Sequence, residues 1–311
     1  QKSATLPPGV ARARGSKTDA ATGLPSRVLH KSSGITLALV RAGEFMMGSP
    51  EGEEGRRPEE RRHARVVRRP FYLGETKVTV AEFRRFVRAT QYRTDAERGT
   101  PDGGHTRGAF AAVAGGDREW NARASWREPF PSFRDYRRSD AHPTVHVSWN
   151  DARRFAGHYG LSLPTEAQWE YAHRAGSNAR FPWGDAEDAG AGRGNVADSS
   201  AKRRFANWNM WFRFDDGAAL LAAAGSFRPN TWGLRDMTGN VQEWCEDSFV
   251  GDYPGDGADE SAARSDDADA ARVLRGGSWL DGPHGARSAV RAAMPPSARR
   301  DFIGFRVALR L

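Results

Sequence analysis

Apolar positions in the first part of the chain predict two β-strands. Ile35-Thr-Leu-Ala-Leu-Val40 is rich in aliphatic and β-branched residues and ends before a glycine. Phe71-Tyr-Leu73 has the same character and follows a polar loop of mixed charge that runs from Glu51 to Arg69. We expect ordered structure to begin at residue 35.

Three later segments carry helix signals. In residues 79–90, Thr79 and Glu82 have the spacing of a capping box, and Phe83, Phe86 and Val87 share one face. Two further helices are predicted, one opening at Asn150-Asp151 and stopped by Gly160, the other capped by Thr165 with Gln168 and ended by Gly176.

The chain after Gly176 has little periodicity and is rich in Gly, Asp, Asn and Trp. Such a long aperiodic stretch indicates loops held by tryptophans and metal ions rather than layered helices. We therefore predict one α+β domain over residues 35–311, with low regular secondary structure.

Residues 1–34 are rich in Ala, Ser, Arg, Gly and Pro and predict a flexible basic leader. Six Lys/Arg against Asp19 give residues 1–35 five of the eight net positive charges, while the rest of the chain is nearly balanced. Nucleic acid is therefore not an expected partner. With no run of 18 apolar residues we expect no membrane span. A start at Gln1 favours a periplasmic or secreted protein, with the cytoplasm as the alternative.

Eight sequence blocks, in order, resemble the bacterial formylglycine-generating enzyme family, also called sulfatase-modifying factors. They are Gly43-Glu-Phe-Met-Met-Gly-Ser49, Glu75-Thr-Lys-Val-Thr79, His142-Pro-Thr-Val-His-Val-Ser-Trp-Asn-Asp-Ala152, Leu163-Pro-Thr-Glu-Ala-Gln-Trp-Glu-Tyr-Ala172, Phe181-Pro-Trp-Gly-Asp185, Gly233-Leu-Arg-Asp-Met-Thr-Gly-Asn-Val-Gln-Glu-Trp244, Arg272-Val-Leu-Arg-Gly-Gly-Ser-Trp279 and Ile303-Gly-Phe-Arg-Val307. The resemblance implies a C-type-lectin-like fold.

The family's enzymes use two cysteines, five residues apart, to bind one copper ion and oxidise a substrate cysteine. Here those positions fall on Asp281 and Ala286, and Cys245 is the only cysteine of the chain. Copper(I) needs soft, deprotonated sulfur, which a carboxylate and a methyl group do not supply. We therefore expect neither copper binding nor sulfatase activation by formylglycine synthesis.

The resemblance also implies structural calcium. One site would use the carboxylates of Asp236 and Glu243 with the carbonyls of Gly239 and Val241, a hard oxygen set that suits calcium. A second would use Asn195, the Val196 carbonyl and Asp216, although extra residues separate its members here. The alternative for each is a solvated acidic loop.

Candidate functional residues cluster after β-like Arg272-Val-Leu-Arg275. Asp281 and His284 could help hold iron(II), with Ser278 as a further catalytic candidate, but a third ligand would require Asp301 to fold back. The alternative is a polar loop. We expect His142 and His146 to be structural and Cys245 to be buried and inert.

Residues 278–302 correspond to the binding surface of related lectin-fold variable proteins. Their Ala, Met, Pro and Phe predict an apolar patch, with a ligand contacted by the set Trp279, Asp281, His284, Arg287 and Arg291. The preferred function is a binding protein or accessory maturation factor for a peptide, protein or small molecule. The alternative is a cysteine-independent, metal-dependent oxidative maturation enzyme, as in a resembling periplasmic group that acts on siderophores.

Overall fold

Short strands dominate the computed structural model, which describes residues 6–99, 107–209, 211–253 and 258–311. The strands in those ranges are β1 (Val10–Arg12), β2 (Arg27–His30), β3 (Ile35–Val40), β4 (Gly43–Met47), β5 (His63–Val67), β6 (Phe71–Gly74), β7 (Ala109–Ala112), β8 (Arg118–Asn121), β9 (Gln242–Ser248), β10 (Ala258–Asp259), β11 (Arg272–Arg275), β12 (Arg291–Met294), β13 (Ile303–Gly304) and β14 (Ala308–Arg310). The helices are α1 (Val80–Thr90), α2 (Asp95–Arg98), α3 (Trp149–His158), α4 (Glu166–Arg174) and α5 (Ser199–Arg204). The longest has 11 residues, too few to cross a bilayer.

The strands form four sheets. An antiparallel sheet of five strands has the order β1-β2-β3-β6-β14 and joins the beginning of the chain to its end. The order β12-β11-β9-β13 makes a second sheet, in which β13 runs parallel to β9. The smaller sheets are β10-β5-β4 and the β7-β8 hairpin. This mixture of small sheets and few helices confirms the predicted α+β class.

The three predicted helices are present, and each begins at a capping box. Thr79 and Thr165 cap α1 and α4 as expected, whereas α3 is capped by Ser148, two residues before the predicted start. The α4 helix ends in a left-handed residue, Ala175, one position before the predicted terminator Gly176. The two short helices α2 and α5 had no predicted counterpart.

The predicted flexible leader over residues 1–34 is wrong for residues 6–34. Strands β1 and β2 pair with each other and β2 pairs with β3, extending the large sheet. Leu24 and Val28 are buried, and the Tyr72 hydroxyl donates to the carbonyl of Pro25 at 2.8 Å. Strand β2 was not predicted because only its alternate positions face the core, which leaves the segment polar in composition.

The main core lies between the large sheet and helices α1 and α3. Phe83 on α1 stacks on Phe155 of α3, with ring centroids 5.8 Å apart, and Phe305 meets Phe155 edge-on at 5.2 Å. These rings are fully buried, as the apolar face of the predicted first helix requires. The core therefore forms beneath the segment that precedes β14.

Candidate functional site

The loop after β11 begins with two glycines in left-handed conformations, Gly276 at φ 97° and Gly277 at φ 64°. A Cβ atom on Gly277 would lie 2.7 Å from the carbonyl oxygen of Gly285, so the loop closes on itself only with glycine there. The chain then turns back through Ser278 and Asp281. This closed loop occupies the positions at which the family's cysteines are expected.

Asp281 lies at the inner side of this loop and is half-buried. Its carboxylate accepts a 2.7 Å hydrogen bond from the Ser278 hydroxyl, and its carbonyl accepts from the Ala197 amide at 3.1 Å. Burial raises the pKa of Asp281, while the hydrogen bonds from Ser278 and the charge of Arg118 oppose the shift. Asp281 and Ser278, predicted together, do form one polar pair.

His284 lies away from that pair. Its Nε2 is 3.4 Å from Glu54 Oε1, and its side chain is 43% exposed. Asp301, the third ligand considered for iron, accepts the Ala112 amide at 2.7 Å and faces Arg118. Within the described residues no group of three His, Cys, Asp or Glu side chains is arranged to hold a metal. The polar-loop alternative fits this geometry better than an iron site.

Trp279 is fully buried, so the prediction that it contacts a ligand is wrong. Its Nε1 donates to the Asp301 carbonyl at 3.3 Å. Its ring packs against those of Phe130, Phe205 and Trp208, with each centroid 5.9 Å away. Trp279 therefore packs in the core and anchors the loop that follows β11.

Arg287 and Arg291 are buried as well, which corrects their assignment to a ligand surface. Arg287 binds Glu53 and Glu60 at 2.6–2.7 Å. Arg291 makes a two-point contact with Glu166 at 2.7 and 2.8 Å. Each guanidinium is neutralised inside the protein, because a buried charge without a partner is strongly unfavourable.

The predicted apolar patch over residues 280–302 is mostly internal. Residues 291–294 form β12, and Ala292, Met294 and Ala298 pack against the main core. Phe302 is 8% exposed, whereas Pro295 is exposed. The segment therefore contributes to the core, and it reaches the surface at the loop around Asp281 and His284 and again at Pro295.

A cavity of about 550 Å³ opens beside that loop. It is lined by Glu54, Glu187, Ser199, Asn209, Trp211, Arg213, Pro283 and His284. Sequence reasoning missed Trp211 and Arg213 because they lie in an aperiodic segment. The close spacing of Trp208 and Trp211 in a loop was the available signal.

Arg118 is a second residue that the sequence did not single out. Its guanidinium lies 5.5 Å from the Trp279 ring centroid and 5.2 Å from that of Phe302, and its Nε is 3.4 Å from Asp301 Oδ1. Its Nη2 is buried without a hydrogen-bond partner. Arg118 thus brings a positive charge with an unused donor close to the Asp281 loop.

The predicted calcium set of Asn195, Val196 and Asp216 fits a hard cation. Asn195 Nδ2 donates to Leu220 and Asn240, which fixes the amide and leaves its Oδ1 buried without a partner. Burial, with help from neighbouring acids, raises the pKa of Asp216 to about 7 against the hydrogen bonds that it accepts. The Asp216 carboxylate accepts the amides of Val196 and Ala218 at 2.9 and 2.8 Å, so the buried Asn195 Oδ1 is the oxygen of this set without a protein partner. An amide oxygen of this kind suits calcium, whose role there would be structural.

The set of Asp236, Gly239, Val241 and Glu243 does not fit calcium. Glu243 is buried and binds Arg306, Lys77 and the Trp169 indole. The Asp236 carboxylate accepts the amides of Gly225 and Phe227 instead of facing Glu243. The two predicted carboxylate ligands are thus occupied by protein donors.

The contacts of His142 and His146 agree with the structural roles expected for them, and Cys245 is buried as expected. His142 Nδ1 lies 2.6 Å from the Tyr136 hydroxyl, and His146 Nε2 lies 2.8 Å from the Pro129 carbonyl. Cys245 is buried in β9, and burial raises the pKa of its thiol well above the usual value.

Similar proteins agree with the sequence blocks. The profile of the sulfatase-modifying factor enzyme 1-like domain matches residues 26–311. A formylglycine-generating enzyme of Streptomyces coelicolor is 38% identical over 290 residues, 86% of each chain. An inactive C-alpha-formylglycine-generating enzyme 2 of Bos taurus is 32% identical over 317 residues, 92% of each.

Solved structures share the fold. PvdO from Pseudomonas aeruginosa aligns with a TM-score of 0.67 and 27% identity, covering 90% of this chain and 95% of that one. Treponema denticola variable protein 1 aligns with a TM-score of 0.61 at 18% identity over 96% of this chain and 100% of its own. With Asp281 and Ala286 at the cysteine positions, the chain belongs to the sulfatase-modifying factor, or formylglycine-generating enzyme, family as a member without the cysteine pair.

Proposed function

We propose that this protein is a ligand-binding accessory or maturation factor that uses the cavity beside Pro283 and His284. The observation that carries the proposal is the position of this cavity of about 550 Å³ against the loop that replaces the family's reactive cysteines. Binding sites are commonly concave, with a few polar groups that fix orientation. A thiol-dependent oxidation is not part of the proposal, because Cys245, the only cysteine of the sequence, is buried.

The lining favours a polar ligand of mixed charge. Trp211 offers an aromatic face, and Arg213 offers a cation. Glu54 and Glu187 add two carboxylates at the same cavity, and each of them pairs with Arg180, at 3.3 and 3.2 Å, so the lining carries charges of both signs. A peptide segment or a small zwitterionic molecule matches this lining better than a nucleic acid does.

A selection from a phage-displayed library of random heptapeptides tests the proposal. Selected sequences are synthesised, and their dissociation constants are measured by fluorescence anisotropy. We expect Trp211→Ala to weaken binding about tenfold or more, since stripping one buried aromatic contact commonly costs 1.4 kcal/mol or more. Asp281→Ala and His284→Ala should also change the affinity.

The matched control is Arg153→Ala, which alters a different surface cavity next to α3. Its affinity should equal that of the parent. The proposal fails if no peptide is enriched, or if the selected peptides bind Trp211→Ala as tightly as the parent.

A second candidate is a cysteine-independent maturation enzyme, and the Ser278–Asp281 pair favours it. A half-buried carboxyl with a raised pKa can hold a proton beside a bound molecule. Elemental mass spectrometry on the native protein and on Asp281→Ala/His284→Ala separates the two candidates. Near-stoichiometric iron or copper that is lost in the double variant would favour the enzyme, whereas calcium unchanged by it would favour the binding protein.

A further inference from the structure

A lysine lies where a calcium ion was expected. Lys77 Nζ is 3.0 Å from Glu243 Oε1, and the two side chains are 1% and 0% exposed. The same ammonium donates to the main-chain carbonyl of Asp236. Lys77 therefore contacts one oxygen from each end of the predicted calcium loop.

The remaining acceptors of Glu243 are also in use. Arg306 donates from Nη2 to Oε1 at 2.9 Å and from Nε to Oε2 at 2.5 Å, and Trp169 Nε1 donates to Oε2 at 3.0 Å. With Lys77 this makes four donors, and a carboxylate has about four lone-pair sites. Glu243 has no free acceptor to offer a metal.

The charges lead to the same conclusion. Lys77 and Arg306 place two positive charges beside the buried carboxylate of Glu243, and the charge of the buried Asp236 also attracts Lys77, so the cluster is already balanced without a metal. A divalent cation there would add two more positive charges in a region where charge repulsion is weakly screened. Calcium would have to displace Lys77 to bind.

We propose that the Lys77 ammonium is a built-in substitute for a divalent cation and holds the loop of residues 236–243 without metal. The loop supports the candidate site directly. The Gly239 amide donates to the Gly276 carbonyl at 2.8 Å, and the Trp279 amide donates to the Asn240 carbonyl at 3.0 Å. Lys77, three residues after the end of β6, thus joins the large sheet to the loop that contacts Gly276 and Trp279, and it does so without calcium.

The test removes the other candidate calcium set first. The background for the test is the double variant Asn195→Ala/Asp216→Asn, called the parent in this test. Its thermal unfolding is measured in EDTA and in millimolar calcium chloride. We expect the parent to show the same melting temperature in both buffers and to retain no calcium by elemental mass spectrometry. A parent that keeps one calcium ion, and loses it on Glu243→Gln, would overturn the proposal.

Two variants at position 77 then distinguish the effect of the ammonium charge from the effect of the volume that the side chain fills. Lys77→Ala should melt at a lower temperature in EDTA and regain at least half of the loss with calcium, because a cation can enter the vacated room. Lys77→Met should also melt lower but gain nothing from calcium, since its thioether side chain fills that room. If Lys77→Ala folds only with calcium, the proposal is supported; if calcium gives it no gain, the ammonium does not occupy a cation site and the proposal fails.

Discussion

Arg287 and Glu60 form a two-point ion pair in which both side chains are fully buried. Nη1 and Nη2 of Arg287 each lie 2.7 Å from an oxygen of Glu60. The pair joins the loop before β5 to the segment that follows the Asp281 loop. Arg287, which the sequence predicted as a ligand contact, therefore stabilises the position of this loop.

Removing this arginine should destabilise the fold. We expect Arg287→Ala to lower the free energy of unfolding by about 3–5 kcal/mol, because the buried Glu60 would lose its cationic partner and keep only the hydrogen bond from Ser49. The loss is measured as a shift of the urea denaturation midpoint, with an unchanged m value as the check that only stability has changed. The control is Arg123→Ala, which breaks an ion pair with Glu128 in which the side chains are 66% and 47% exposed. Equal midpoints for the two variants would contradict the structural role.

Neighbouring residues of β2 provide a test of order in the N-terminal segment. Val28 is 0% exposed and Leu29 is 37% exposed. We expect Val28→Ala to cost about 1.5–3 kcal/mol through lost burial and a residual cavity, and Leu29→Ala to cost much less. Chemical denaturation of both variants checks this difference. A flexible leader would leave both variants as stable as the parent.

Asp151 should make stability depend on pH. Burial, together with the charge of Asp95, raises the pKa of Asp151 to about 7 against the hydrogen bonds that it accepts. We therefore expect the folded state to hold a proton on Asp151 between about pH 4 and 7 that the unfolded state releases. This contribution is complete below the unfolded pKa and is lost as pH rises through the folded pKa, with a slope of up to about 1.4 kcal/mol per pH unit.

Asp151→Asn should remove that slope, as measured by urea denaturation at a series of pH values. The matched control is Asp140→Asn, whose exposed carboxylate is bound by Arg84, which lowers its pKa below the usual value. Its stability curve should run parallel to that of the parent above pH 5. Parallel curves for Asp151→Asn as well would mean that Asp151 is ionised in the folded protein throughout.

Local signals predicted the three longer helices, α1, α3 and α4, and the family, because these signals are carried within a few residues. The capping boxes of α1 and α4 are complete in four consecutive positions each, so Thr79 and Thr165 could be recognised without tertiary information. The eight blocks fixed the fold class in the same way. Both depend on sequence order rather than on distant contacts.

The buried arginines could not be predicted because their partners are distant in sequence. Arg287 and Arg291 look like surface residues in a polar segment, yet Glu60 and Glu166 precede them by 227 and 125 positions. The cavity was missed for a related reason, since Trp211 and His284, which line it together, are 73 positions apart in the sequence. Asp281 and His284 could be identified from their position in the loop. Whether the neighbouring arginines are exposed or buried depends on their ion pairs with glutamates that are distant in the sequence.

Calcium should stabilise the protein through Asn195 and Asp216. A ligand that binds only the folded state adds about 2.7 kcal/mol at a concentration 100 times its dissociation constant. We therefore expect the melting temperature to rise with calcium chloride and to fall in EDTA, measured by differential scanning fluorimetry. Asn195→Ala should abolish the response, because it removes the buried amide oxygen that lacks a partner. An undiminished response in that variant would place calcium elsewhere.

The thiol of Cys245 should react only when the protein opens. It is buried in a cluster with Val273 and Trp169, and burial raises its pKa, so little thiolate is present to attack a reagent. We expect Ellman's reagent to find no reactive thiol in native buffer and one per chain in denaturant. An added cysteine at the exposed Ser132 provides the control, since Ser132→Cys should be modified in the folded state at the rate of a free thiol. If Cys245 were modified as fast as that control, a reactive sulfur would be accessible and the family's thiol chemistry would have to be considered again for this chain.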